Sequence, residues 1–123
     1  MAAGLKKEVL KRGAEGGAKP AQGQTVKAHY TGKLLSGAVF DSSRKRARPF
    51  EFPIGVGAVI SGWDLGIASM LPGERAVLTC SPAHAYGASG APPDIPPNST
   101  LAFDVELLGA EGSGGGGGGC ALA

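Results

Sequence analysis

A chain of 123 residues with a formal net charge of +2, 42% apolar and 18% charged, has room for one hydrophobic core and not two. So small a charge implies no nucleic-acid partner by itself, and no apolar run approaches the roughly 20 residues of a membrane-spanning helix. MAAGLKKEVLKRG lacks a secretory apolar stretch, and two cysteines, Cys80 and Cys120, make no disulfide framework, so a reducing, cytoplasmic location is expected.

In chain order, Glu8 to Leu10 reads as a short strand. From Gln24 to Tyr30 the residues alternate, Val26, Ala28 and Tyr30 on one face and Lys27 and His29 on the other, the period of a strand with one buried and one wet face. Phe50 to Phe52 is a further short candidate. The period then changes: in ISGWDLGIASM, Trp63, Ile67 and Met70 form a helical stripe. Ser61 with Asp64 three residues on predicts a capping box at the helix start, and Pro72-Gly73 ends the helix.

Glu74 to Cys80 alternates again, with Ala76, Leu78 and Cys80 together. Ala83 to Ser99 is too proline-rich for a central strand and reads as a long anchored loop. The clearest alternation comes last, in TLAFDVELL from Thr100: Leu101, Phe103, Val105 and Leu107 oppose Asp104 and Glu106. Strands with one wet face imply an antiparallel sheet. The class is α+β, about five strands with one short helix laid on a sheet face. Residues 1–109 form the expected domain and 110–123 a flexible tail, since the unbroken glycines Gly114 to Gly119 have nothing to bury.

Most catalytic chemistry is absent. There is no nucleophile elbow, no paired-cysteine motif and no metal-spaced histidine pair. Gly55-Val56-Gly57 starts like a dinucleotide fingerprint, but Ile60 stands where its third glycine belongs. His29 reads as solvated, His84 as a loop residue, and Cys80 as a small apolar core residue. No metal and no cofactor are expected. The seven aromatic residues are the unusual feature. Tyr30, Phe103 and Trp63 face inward, Phe40 precedes Asp41 in a turn, and Tyr86 lies in the long loop. Either a plain core or a pocket would use them.

The segments HYTGKLLSGAVFDSS, PFEF, VISGW, SPAHAYG and IPPNSTLAFDVELL, in this order and spacing, resemble the FKBP family of FK506-binding proteins from about Gly23 to Leu108. The resemblance implies a strongly curved antiparallel sheet wrapped around one short helix, and peptidyl-prolyl cis–trans isomerase activity on proline-containing peptides and proteins. It implies Trp63 as pocket floor, Tyr30, Phe50, Val59, Ile60 and Phe103 as walls, and Phe40, Asp41, Tyr86 and Ile95 at the rim. The Ile60 N–H and the Tyr86 hydroxyl would donate to the ligand. Asp41, held by Arg46, would orient bound peptide without transferring a proton. Of these, Tyr30, Phe40, Asp41, Trp63, Tyr86 and Phe103 form the catalytic set.

The resemblance further implies a monomer that receives FK506- and rapamycin-type macrolides and, once drug-bound, calcineurin or TOR kinase. The alternative is a non-catalytic module that docks on a receptor, phosphatase or kinase through the same pocket and loop. Ala91, Pro93 and Asp94 depart from the family in the loop above the pocket and bear on partner capture, and Ala58 replaces a longer polar residue. Two motifs stand apart. Lys45-Arg46-Ala47-Arg48 resembles a nuclear-localisation cluster and reads more simply as a solvated loop. Cys120-Ala121-Leu122-Ala123 fits a prenylation pattern, a weak route to membrane association.

Overall fold

The computed structural model describes residues 4–15, 17–45, 47–91 and 95–111. Six strands form one antiparallel sheet: β1 (Leu5–Lys11), β2 (Thr25–Leu34), β3 (Val39–Ser42), β4 (Phe50–Pro53), β5 (Arg75–Cys80) and β6 (Leu101–Glu111). One short helix, α1 (Ser61–Gly66), continues into a 3-10 turn at Ile67–Ser69. The curved sheet wraps around this helix, as the family resemblance implies. Five strands match the predicted ones within a few residues at each end. The sixth, β3, was expected to be a turn. It has four residues, and its pairing with β2 shifts between Gly32 and Lys33, so it carries no alternating signal.

The strand order is β1-β5-β6-β2-β3, with β4 also paired to β2. The alternating residues meet as a layer, because cross-strand partners share a face: Cys80 faces Leu101, Leu78 faces Phe103, Ala76 faces Val105, and Val105 faces Tyr30. All seven are buried, and the helical stripe Trp63, Ile67 and Met70 is buried against them. Two glycines let the helix come this close. A Cβ at Gly66 would lie 2.8 Å from a Leu78 methyl, and one at Gly62 would run into Cys80 Sγ. The far end is tied to the sheet by Lys7, whose Nζ lies 2.8 Å from Glu74 Oε2 and donates to Ser69 O at 3.0 Å.

The expected capping box does not form. Ile60 occupies the cap position, no side chain caps the helix, and Ser61 is its first residue. Ser61 Oγ instead lies 3.0 Å from His84 Nδ1, and Asp64 reaches outward to a loop, as described below.

Cys80 is fully buried in the apolar layer. Burial pushes its thiol up from the ordinary 9.0 to about 11, since an apolar surrounding desolvates the thiolate. Between these values the native chain keeps a proton that the unfolded chain loses. Stability from this group is therefore complete below about pH 9 and falls as pH rises towards 11. The full loss is about 2–3 kcal/mol. Urea melts across this window should show that decline in the wild type, and in Cys80→Ala a lower plateau without that part of the slope.

Candidate functional site

The concave side of the sheet gathers the aromatic residues around one indole. Trp63, from α1, is 5% exposed. Its ring centroid lies 4.8 Å from that of Tyr30 (β2), 5.3 Å from Phe103 (β6), 5.6 Å from Phe52 and 5.9 Å from Phe50 (both β4). Three of these contacts are edge-to-face, the favoured arrangement for aromatic pairs. Phe40 meets Phe103 the same way, centroids 5.7 Å apart. That contact needs Gly32, where a Cβ would stand 2.6 Å from Phe40 Cζ and 3.0 Å from Phe103 Cε1.

Above the indole opens a cavity of about 350 Å³. Its aromatic lining is Trp63, Tyr30, Phe40, Phe50 and Phe103, with Tyr86 added from the loop after β5. The loop before α1 supplies Ala58, Val59 and Ile60, and Asp41 is the single acidic group. The structure thus brings together, around one cavity, nine of the eleven residues that the resemblance assigns to the site. Ile95 does not line the cavity: it is buried in the same core cluster as Tyr30, Trp63 and Phe103 and exchanges two backbone hydrogen bonds with Ala91 (2.8 and 2.9 Å). Arg46, Pro93, Asp94 and Cys120 lie outside the described residues, as does the 112–123 segment of the tail. The described part of the long loop is anchored. Gly90 N–H donates to Tyr86 O at 3.1 Å and Asn98 N–H to Gly87 O at 2.8 Å.

The polar groups divide into held and uncommitted ones. Asp41 accepts a short hydrogen bond from the Tyr30 hydroxyl on one oxygen and the Ser42 N–H at 2.8 Å on the other. The carboxylate is thereby fixed at the rim. Tyr86 is 42% exposed and its hydroxyl bonds to no described residue. Partial burial, then the negative charge of Asp41, raise its phenol above the ordinary value of 10.0, so it stays a donor through neutral pH. The Ile60 N–H also donates to no described residue, although the Ile60 carbonyl accepts from Trp63 and Asp64. At the floor, the buried indole N–H of Trp63 has no acceptor among the described residues.

Two residues that build the site carry misleading sequence signals. Asp64, expected to cap the helix, accepts the Gly55 N–H at 2.8 Å and the Gly57 N–H at 3.0 Å. Both glycines have φ of +76°, a conformation that favours glycine. The carboxylate therefore clamps the loop that delivers Ala58, Val59 and Ile60 to the cavity. The aspartate and both glycines were visible, but periodicity does not say that they meet. Ser43 is fully buried although it belongs to no apolar period and, as a serine ending the segment HYTGKLLSGAVFDSS, reads as a turn residue. Its Oγ accepts the Tyr30 N–H at 2.8 Å, securing the strand position from which the Tyr30 ring projects.

Comparison with known proteins supplies the remaining findings. The family profile for FKBP-type peptidyl-prolyl cis–trans isomerases matches residues 16–108. Peptidyl-prolyl cis–trans isomerase Fkbp12 of Drosophila melanogaster is 58% identical over 97 residues, 79% of this chain and 90% of that protein. Peptidyl-prolyl cis–trans isomerase FKBP1A of Xenopus laevis is 55% identical over 105 residues, 85% of this chain and 96% of its own. FK506-binding protein 59 of Drosophila melanogaster is 53% identical over 109 residues, 89% of this chain, but the match spans only 25% of that longer protein. Among solved structures, the crystal structure of AtFKBP13 superposes with a TM-score of 0.84 at 43% identity, covering 89% of this chain and 94% of that one.

Proposed function

The chain belongs to the FKBP-type peptidyl-prolyl cis–trans isomerases and catalyses rotation about X-Pro bonds; we propose that it does so by seating the proline ring on Trp63 while Ile60 and Tyr86 hold the flanking peptide. The observation that carries this reading is the pairing of an aromatic cavity with two uncommitted donors at its mouth, the Ile60 N–H and the Tyr86 hydroxyl.

The chemistry follows from the amide. Resonance makes the planar bond dipolar and sets a barrier of about 18–20 kcal/mol. Twisting to the perpendicular state removes the charge separation. Water favours the planar form, so an apolar cavity raises the ground state relative to the twisted one. A thousandfold acceleration needs about 4 kcal/mol, within reach of desolvation and two positioned donors. Asp41, held by Tyr30 and Ser42, orients the peptide and its charge without passing a proton.

A protease-coupled assay on a proline tetrapeptide tests the roles. Tyr86→Phe removes one hydrogen bond and should lower kcat/KM about five- to tenfold with the fold intact. An unchanged rate would take Tyr86 out of the mechanism. The reading extends to FK506- and rapamycin-type macrolides in the same cavity, with competition in that assay as its check. It extends further to drug-dependent capture of calcineurin or TOR kinase through the loop after Tyr86, and to a cytoplasmic or nuclear site of action.

A further inference from the structure

The sheet edge beside the cavity carries positive charge that isomerisation itself does not use. β3 and β4 both pair with β2, but at different heights: Ser42 faces Thr31 and Phe50 faces Ala28. The two strands lie end to end along one edge of β2. Ser43 fills the gap between them, donating its N–H to Tyr30 O at 3.0 Å. The chain therefore leaves the sheet after Ser43, at the level of Tyr30, whose ring is a cavity wall. Ala47, with φ of +53°, and the Arg48 N–H, donating to Ser43 O at 3.3 Å, turn it back.

Arg44, Lys45 and Arg48 are all exposed on this loop. Arg44 is engaged with Glu106, 2.8 Å away on the outer sheet face. Lys45 and Arg48 have no acidic partner among the described residues. The nearest exposed carboxylate in sequence, Glu51, faces Lys27 across the strand pair. Arg48 is two residues from Phe50, so the two backbones lie within about 7 Å of each other, and a charge on this exposed loop is felt by a peptide over about 8 Å at physiological ionic strength.

We propose that Lys45 and Arg48 form an electrostatic subsite that selects X-Pro substrates with acidic residues flanking the proline-bearing dipeptide. It rests on the isomerase reading, because the proline in the cavity is what brings the flanking chain past the loop. Even all four basic residues of this stretch, Arg44, Lys45, Arg46 and Arg48, would neutralise only about four phosphates, short of the 6–10 contacts of a strong nucleic-acid binder, and the net charge of +2 adds little. A short acidic stretch of polypeptide is the matching ligand.

The test uses peptides with one constant X-Pro core and flanks of Glu, Gln or Lys, assayed at about 20 mM and about 500 mM salt. The expected result is a preference for Glu over Lys flanks of about fivefold in kcat/KM at low salt, carried by KM and shrinking to within about twofold at high salt. The double variant Lys45→Glu/Arg48→Glu should reverse the order and leave the Gln-flanked peptide unchanged. Equal acceleration of all three peptides overturns the subsite alone. No acceleration of the Gln peptide overturns the isomerase reading and the subsite with it. Indifference to the flanks, together with salt-sensitive binding of a single-stranded oligonucleotide lost in the double variant, would reassign the loop to nucleic acid.

Discussion

Replacing Trp63 by alanine is expected to bring X-Pro isomerisation down to the uncatalysed background and to lower stability by about 3–5 kcal/mol. Both effects have one cause. The indole is in contact with four other rings and forms the floor of the cavity. Removing it leaves a void beneath the substrate, which admits water and restores solvation to the planar amide. A domain of this size has about 5–15 kcal/mol of total stability, so unfolding alone could account for lost turnover. Trp63→Leu separates the two. It keeps apolar volume, should stay folded, and should still lose about 10- to 100-fold in kcat/KM, because a branched aliphatic chain offers no flat surface to a proline ring. A folded Trp63→Leu with full turnover would exclude the floor role. Trp63 is also the only tryptophan in the chain, so its emission in the wild type should change as a proline peptide or an FK506-type macrolide fills the cavity.

The second large effect is expected at Gly62. An added methyl there would press on Cys80 Sγ, stand 2.9 Å from His84 O and 3.3 Å from Cys80 Cβ. The His84 carbonyl cannot easily withdraw, because it belongs to the 3-10 turn Pro82–His84, which is closed by the His84 N–H donating to Ser81 O at 2.9 Å. Alanine gains about 1 kcal/mol over glycine in helix propensity, but overpacking against backbone outweighs it. A net loss of about 2–3 kcal/mol is expected, which is a fall in Tm of about 10–20 °C for a domain of this size. Because α1 carries Trp63 and follows directly from Ile60, turnover should fall as well. Adding Cys80→Ala removes one of the two obstacles and should recover part of the loss in a double-mutant cycle. A Gly62→Ala variant with unchanged Tm would show that the helix does not need its close approach to β5.

The layered core was legible in the residues themselves. A strand puts every second side chain on one face, so Val26, Ala28 and Tyr30, then Ala76, Leu78 and Cys80, then Leu101 to Leu107 announced a buried layer before any pairing was known. Trp63, Ile67 and Met70 announced a helix packed on it. The family resemblance, carried by five segments, assigned most of the cavity lining in the same way.

What periodicity encodes is the direction in which a side chain faces, and not what faces it. Only the tertiary structure decided that β6 runs between β5 and β2, that Phe40 and Asp41 belong to a paired strand, and that Tyr30 and Ser42 hold Asp41 at the rim. The same limit explains Asp64. Its spacing from Ser61 matched a local cap, yet its carboxylate bonds two glycine amides seven and nine residues back. Local spacing ranks local partners. When the folded chain brings a loop within reach, two backbone donors to one carboxylate outweigh a single cap bond, and that competition is settled only in three dimensions.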